Sequence, residues 1–157
     1  MEALTPYPVA IEPHWIDYNG HLRDAYYGVA FSLAVDDVMD QLGLDAGYRA
    51  RTRGTLYTLE MHYHYLHEVK RTDDLRVRCM VLDGDAKRIL LAGVFERGAE
   101  RTVAAVAEAM LLHVVQAEPP KSAPLPVATA DRVERLKRAA EWPAAWPRSR
   151  ALAIRRG

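Results

Sequence analysis

The sequence predicts an α+β fold in which one long helix lies on one face of an antiparallel sheet. Three observations lead there. Residues 24–42 space Phe31, Val35, Val38, Met39 and Leu42 at helical intervals, with Asp36, Asp37 and Asp40 on another face. From residue 55 onward the apolar period changes to two, in several runs separated by turn signals. A chain of 157 residues is the size of one compact domain, taken here as 1–157 with a core over 8–117 and a C-terminal extension over 118–157.

Residues 8–13 (PVAIEP) form a short apolar stretch bracketed by prolines, which suits a strand with one edge free of ladder bonding. The helix follows a loop, Asp17-Tyr18-Asn19-Gly20-His21, and Gly43 is its stop signal. In 55–69, Tyr57, Leu59, Met61, Tyr63 and Tyr65 alternate with Thr58, Glu60, His62 and His64. Leu75, Val77, Cys79 and Val81 alternate with Arg76, Arg78 and Met80, and the turn Asp83-Gly84-Asp85 then leads into 89–95 as a hairpin. Residues 102–115 fit a helix as well as a strand, and the need for further sheet partners, with consecutive hairpins as the shortest connections, favours a strand. Thr129 is expected to cap a short helix through Ala140, and the tail after Trp142 to be loosely held. A sheet of this size also needs cover on its other face or edge, so at least a dimer is expected.

Composition narrows the function. Lys plus Arg equals Asp plus Glu at 21 each, so no net field draws nucleic acid or an anionic membrane surface. Half the residues are hydrophobic, yet no run approaches the length of a bilayer span, and the amino terminus lacks a secretory pattern, so a cytoplasmic location is expected. Cys79 is the lone cysteine and sits in a strand pattern, as a buried structural thiol rather than a nucleophile.

The loop at 17–21 carries the chemistry: an acid, an amide and an imidazole at alternate positions around a glycine, just before a helix. Asp17 could act as nucleophile or as general base, while Asn19 and His21 orient or donate. Against this stands the plain alternative that Asp17 and Asn19 only bond their own backbone in a turn. Gly20 permits a close backbone approach, and N–H groups around Arg23 and Asp24 at the helix start offer an oxyanion site. Glu60 is a second candidate acid, because a carboxylate in an apolar, aromatic strand is costly to bury without a partner; a cross-strand pair with Arg76 or Arg78 is its rival role. His62 and His64 share a strand face with Glu60, but no further ligand motif accompanies them, and no metal is expected.

The residues WIDYNGHLRDAYY, YTLEMHYHYLHEVK, LDGDAKRI and EAMLLHV, in this order over residues 8–125, resemble the hotdog-fold acyl-CoA thioesterases. Within them the chain is similar to the 4-hydroxybenzoyl-CoA thioesterase-like group, and there to the betainyl-CoA thioesterases of carnitine and betaine metabolism. The resemblance implies a sheet wrapped around the helix, 102–115 as a strand, dimers joined edge to edge into a longer sheet, as a homodimer or a homotetramer, and sites at the subunit interface. It implies an acyl-CoA substrate with coenzyme A as part of it, no separate cofactor, and Asp17 as the acid that attacks the thioester or activates water.

Tyr18, Tyr26, Tyr27 and Tyr57, with Trp15, crowd the loop and its neighbours and are candidates for holding a quaternary ammonium acyl group by cation–π contacts. Lys70, Arg71, Lys87 and Arg88 are candidates for the coenzyme A diphosphate. The rivals are a hydratase of the same fold and a non-catalytic acyl-CoA binding module. The hydratase loop has a proline after the Asn and one more residue before the His, whereas here Gly20 and His21 follow Asn19 directly, which favours thioester hydrolysis.

Overall fold

The computed structural model describes residues 2–141 and 151–157. The prediction for the tail after Trp142 falls partly on 142–150, outside the described residues. In chain order the elements are β1 (Tyr7–Val9), a single 3-10 turn (Pro13–Trp15), α1 (Asp24–Gln41), α2 (Ala46–Thr52), β2 (Gly54–Tyr65), β3 (Leu75–Gly84), β4 (Arg88–Arg97), β5 (Thr102–Val115), β6 (Lys121–Ser122) and α3 (Val127–Ala139). The sheet runs β1-β3-β4-β5-β2 with antiparallel pairs throughout, and β6 adds to β5. This is the hotdog arrangement, a curled antiparallel sheet around a long helix.

The helix forms where the apolar spacing predicts it. Tyr27, Ala30, Phe31, Ala34, Val35, Val38 and Met39 make one buried face against the sheet. The chain then leaves α1 through Gly43 at φ +81°, where the Leu44 N–H reaches the Met39 carbonyl at 2.9 Å and the Gly43 N–H reaches that of Asp40 at 3.1 Å. Under the helix, β4 offers Gly93. A Cβ there would stand 2.5 Å from the Phe31 ring, so the glycine lets helix and sheet approach closely.

Several expectations are corrected. The first strand is three residues at 7–9, because Pro13 opens the 3-10 turn. The connections are not all consecutive hairpins: β3–β4 and β4–β5 are, but β2 pairs with β5 and forms an edge, across the sheet from β3. Thr129 does not cap α3; Pro126 precedes the helix, and the buried Thr129 hydroxyl donates instead to the Leu42 carbonyl at 3.0 Å, tying α3 to the end of α1. The short helix α2, started by the Asp45 side chain accepting from the Tyr48 N–H at 2.8 Å, was not anticipated.

The second face of the sheet is covered partly by the same chain. Met80, Leu82, Leu90, Ala92, Val94, Val106 and Met110 form an outer cluster on which Leu152 and Ile154 pack. The buried Glu108 on β5 accepts the Ala151 N–H at 2.8 Å, and Arg156 forks onto Asp83 at 2.8 and 2.9 Å. So residues 151–157 are docked rather than loose. Cys79 is buried on the helix side, and desolvation pushes its thiol up to about 12, which keeps it inert at neutral pH.

Candidate functional site

The loop between β1 and α1 folds on itself because Asp17 closes it twice. Its backbone N–H donates to the His21 carbonyl at 2.8 Å, and its carbonyl accepts from the Gly20 N–H at 3.0 Å. The second bond needs the left-handed backbone of Gly20, at φ +78°. The side chain closes the loop again: Oδ1 accepts the Asn19 N–H at 2.8 Å and the His21 N–H at 3.1 Å. Those donors, His21 first, hold the carboxyl below the ordinary aspartate range, and partial desolvation works against them. Oδ1 is thus spent on the loop, while no hydrogen bond to Oδ2 is formed among the described residues.

The loop is fixed to its surroundings by the Leu22 N–H on the Val69 carbonyl at 2.7 Å, a bridge between His21 and Lys70, and the Arg23 N–H on the Trp15 carbonyl at 2.9 Å. This corrects the expected oxyanion site, since the Arg23 N–H is already engaged. In the first turn of α1 the Ala25 N–H goes to the Asp24 side chain and the Tyr26 N–H to the Arg23 carbonyl. Asp24 N–H is left without an acceptor among the described residues.

These elements border an open cleft of about 490 Å³, lined by Asp17, Tyr18, His21, Arg23, Asp24 and Tyr27 from the loop and helix, and by Tyr65, Leu66, His67 and Glu68 from the end of β2. A carboxylate with one oxygen anchored and the other without a hydrogen bond, in a cleft that Asp24 also lines, is equipped to activate water or attack a carbonyl carbon.

Residues 11–144 match the thioesterase-like superfamily. The chain belongs to that superfamily. It is a thioester hydrolase, similar to the betainyl-CoA thioesterase of Pseudomonas aeruginosa, with 41% identity over 138 residues that cover 88% of this chain and 86% of that one. Among solved structures it resembles a candidate thioesterase of Pseudomonas putida (37% identity, TM-score 0.76, 98% and 99% of the two chains). It also resembles a hypothetical protein of Staphylococcus aureus in complex with CoA (26% identity, TM-score 0.83, 98% and 96%).

The thioesterase fold does not bring all the predicted residues to the cleft. Asn19 contributes its backbone to Asp17 but does not line the cavity. Trp15 and Tyr26 stack on each other at 5.3 Å beneath the loop, so they pack the site rather than border it. A register shift at Leu59 breaks the alternation of β2 and turns Tyr57 to the outer face, opposite Leu112 and near the far end of the strand. Glu60 lies on that face too, exposed and opposite Met110, so the argument from burial fails for it. The rival ion pair does not form either: Arg76 and Arg78 both bond Glu96, at 2.7 and 3.0 Å, because β3 adjoins β4 and not β2. His62 and His64 meet through their Nε2 atoms at 3.1 Å on the outer face, away from the cleft.

The basic candidates separate likewise. Lys70 pairs with His21, with Arg71 following it, whereas Lys87 and Arg88 lie at the opposite end of the sheet, bonded to Ser122 and Asp85. Tyr65, His67 and Glu68 were missed. The signal was faint: Tyr65 shares the helix-side face of β2 with Met61 and Tyr63, but only the long-range Leu22–Val69 bond brings its end to the loop.

Proposed function

We propose that this thioesterase hydrolyses a small acyl-CoA, betainyl-CoA in the first place, with Asp17 as general base. The observation that carries the reading is the state of the Asp17 carboxylate in the cleft lining: Oδ1 is fixed by two backbone donors, which also favour the ionised form, and Oδ2 has no hydrogen bond among the described residues. In this mechanism Oδ2 takes a proton from water as the water oxygen bonds the thioester carbonyl carbon. The carbonyl oxygen becomes negative near the Asp24 N–H, and collapse breaks the C–S bond to release the coenzyme A thiolate. Direct attack by Oδ2 to give a mixed anhydride uses the same geometry. A thiolate leaves without a strong acid, so no metal or cofactor is required.

The betainyl group is supported by the P. aeruginosa relative, and coenzyme A by the Staphylococcus structure. Lys70 and Arg71 beside the loop are the basic residues placed for the diphosphate. The test is thiol release from a panel of acyl-CoAs by the wild type and Asp17→Asn. The substitution is expected to lower kcat for betainyl-CoA by a factor on the order of 100 or more, because the base is gone while the loop geometry can persist. Undiminished turnover by Asp17→Asn overturns the mechanism, and thiol release from every ester except the betainyl one overturns the substrate.

A further inference from the structure

The part of the cleft lining contributed by the end of β2 and the residues after it holds two groups that the hydrolytic chemistry does not use. Tyr65 ends β2 with 52% of its surface exposed, yet its ring is held firmly. It stacks parallel to Tyr63 at 6.0 Å and meets Tyr27, which is buried, edge-on at 5.1 Å. Its hydroxyl reaches the Asp24 carbonyl at 3.5 Å. Three residues on, exposed Glu68 lines the same cavity.

We propose that Tyr65 and Glu68 form the acyl-recognition end of the cleft and select acyl groups that terminate in a quaternary ammonium. The proposal rests on the thioesterase reading above and assigns its specificity to residues. A quaternary ammonium has no N–H to donate, so a protein can recognise it only by aromatic faces and by nearby negative charge. The cleft supplies both. Its lining sets three carboxylates, Asp17, Asp24 and Glu68, against the single guanidinium of Arg23, in a chain whose total charge is zero. Glu68 is kept ionised mainly by its own backbone N–H, with His21, Arg97 and Lys70 acting on it from neighbouring elements. Arg97 is itself engaged by Asp73 at 3.4 Å. The hydroxyls of Tyr27 and Tyr65 are both raised by desolvation, that of Tyr27 to about 12, so the rings stay neutral phenols. An acyl group ending in a carboxylate meets repulsion here, and a neutral one loses the attraction.

The experiment compares kcat/KM for betainyl-CoA with that for tert-butylacetyl-CoA, which has the same shape with carbon in place of the charged nitrogen. The wild type is expected to prefer the cationic ester about tenfold, and the preference to shrink with added salt. Tyr65→Leu and Glu68→Gln should each lower the ratio by a factor of roughly 2 to 5, while Tyr65→Phe, which keeps the ring, retains it. A tertiary-structure defect would slow both esters alike and leave the ratio unmoved. Equal use of the two esters by the wild type, or a ratio unchanged in both variants, overturns the proposal while leaving a working thioesterase. Absence of thiol release from any acyl-CoA overturns the hydrolase reading itself, and the selectivity falls with it.

Discussion

Asp17 does two jobs with its two oxygens, and they have separate consequences. Oδ1 organises the loop, so Asp17→Ala would disturb both structure and chemistry, whereas Asp17→Asn keeps an oxygen that can accept the same N–H groups. The pH dependence also follows from this geometry. Because the backbone donors lower the carboxyl's pKa in the folded state, the active, ionised form persists above the ordinary aspartate range and is lost only as pH falls below it. The acid limb of kcat/KM is therefore expected to fall below about pH 4, with no inflection from Asp17 between about pH 5 and 8. A limb near pH 6 that vanishes in Asp17→Asn would contradict this. His113 shows how neighbours fix a ring's orientation: the Ala123 carbonyl only accepts, so Nδ1, 2.9 Å away, donates to it, and Nε2 lies 2.8 Å from the Tyr48 hydroxyl.

At the scale of elements, the site depends on how closely α1 lies on the sheet, since the first turn of that helix is one wall of the cleft. Gly93 sets that distance. Gly93→Ala forces the Phe31 ring, which is fully buried, to move from a position where the new Cβ would stand 2.5 Å away. We expect a loss of about 1 to 3 kcal/mol in denaturant unfolding, with the midpoint shifted and the slope unchanged. An unchanged midpoint would mean the helix can ride outward freely. The helix itself was legible in the sequence because its partner covers one face and leaves a 3.6 period visible. Strand β5 was read correctly from the need for sheet partners and not from its pattern, because Val106 and Met110 are buried on the outer face and Ala107, Ala109 and Leu111 on the inner, so no alternation survives to be read. The bulge at Leu59 likewise cannot be seen in a pattern of twos, and it is what moved Tyr57 to the wrong face. For the site, the local part was legible: Asp17 and its donors lie within four residues. The part contributed by Tyr65 and Glu68 was not, because it is assembled by pairing between residues almost fifty positions apart.

For the whole molecule, the open question of the sequence was what covers the sheet. Residues 151–157 answer for part of the outer face, with Glu108 taking backbone N–H groups from Ala151 and Leu152. The edge is a different matter. One edge of the sheet is β1, only three residues long, while the other is β2, twelve residues whose outward amides have no partner strand among the described residues. An edge of that length is a template for a second strand unless something covers it, and in a homo-oligomer the natural cover is the same strand of another copy. Such pairing would also set the Tyr65 and Glu68 end of one cleft near the subunit boundary. Light scattering should then give at least twice the chain mass of 17.7 kDa, and amide exchange should be slow at alternate positions of β2 that do not bond β5. A monomer would overturn edge pairing outright, and an oligomer in which those outward amides exchange freely would place the contact on another surface.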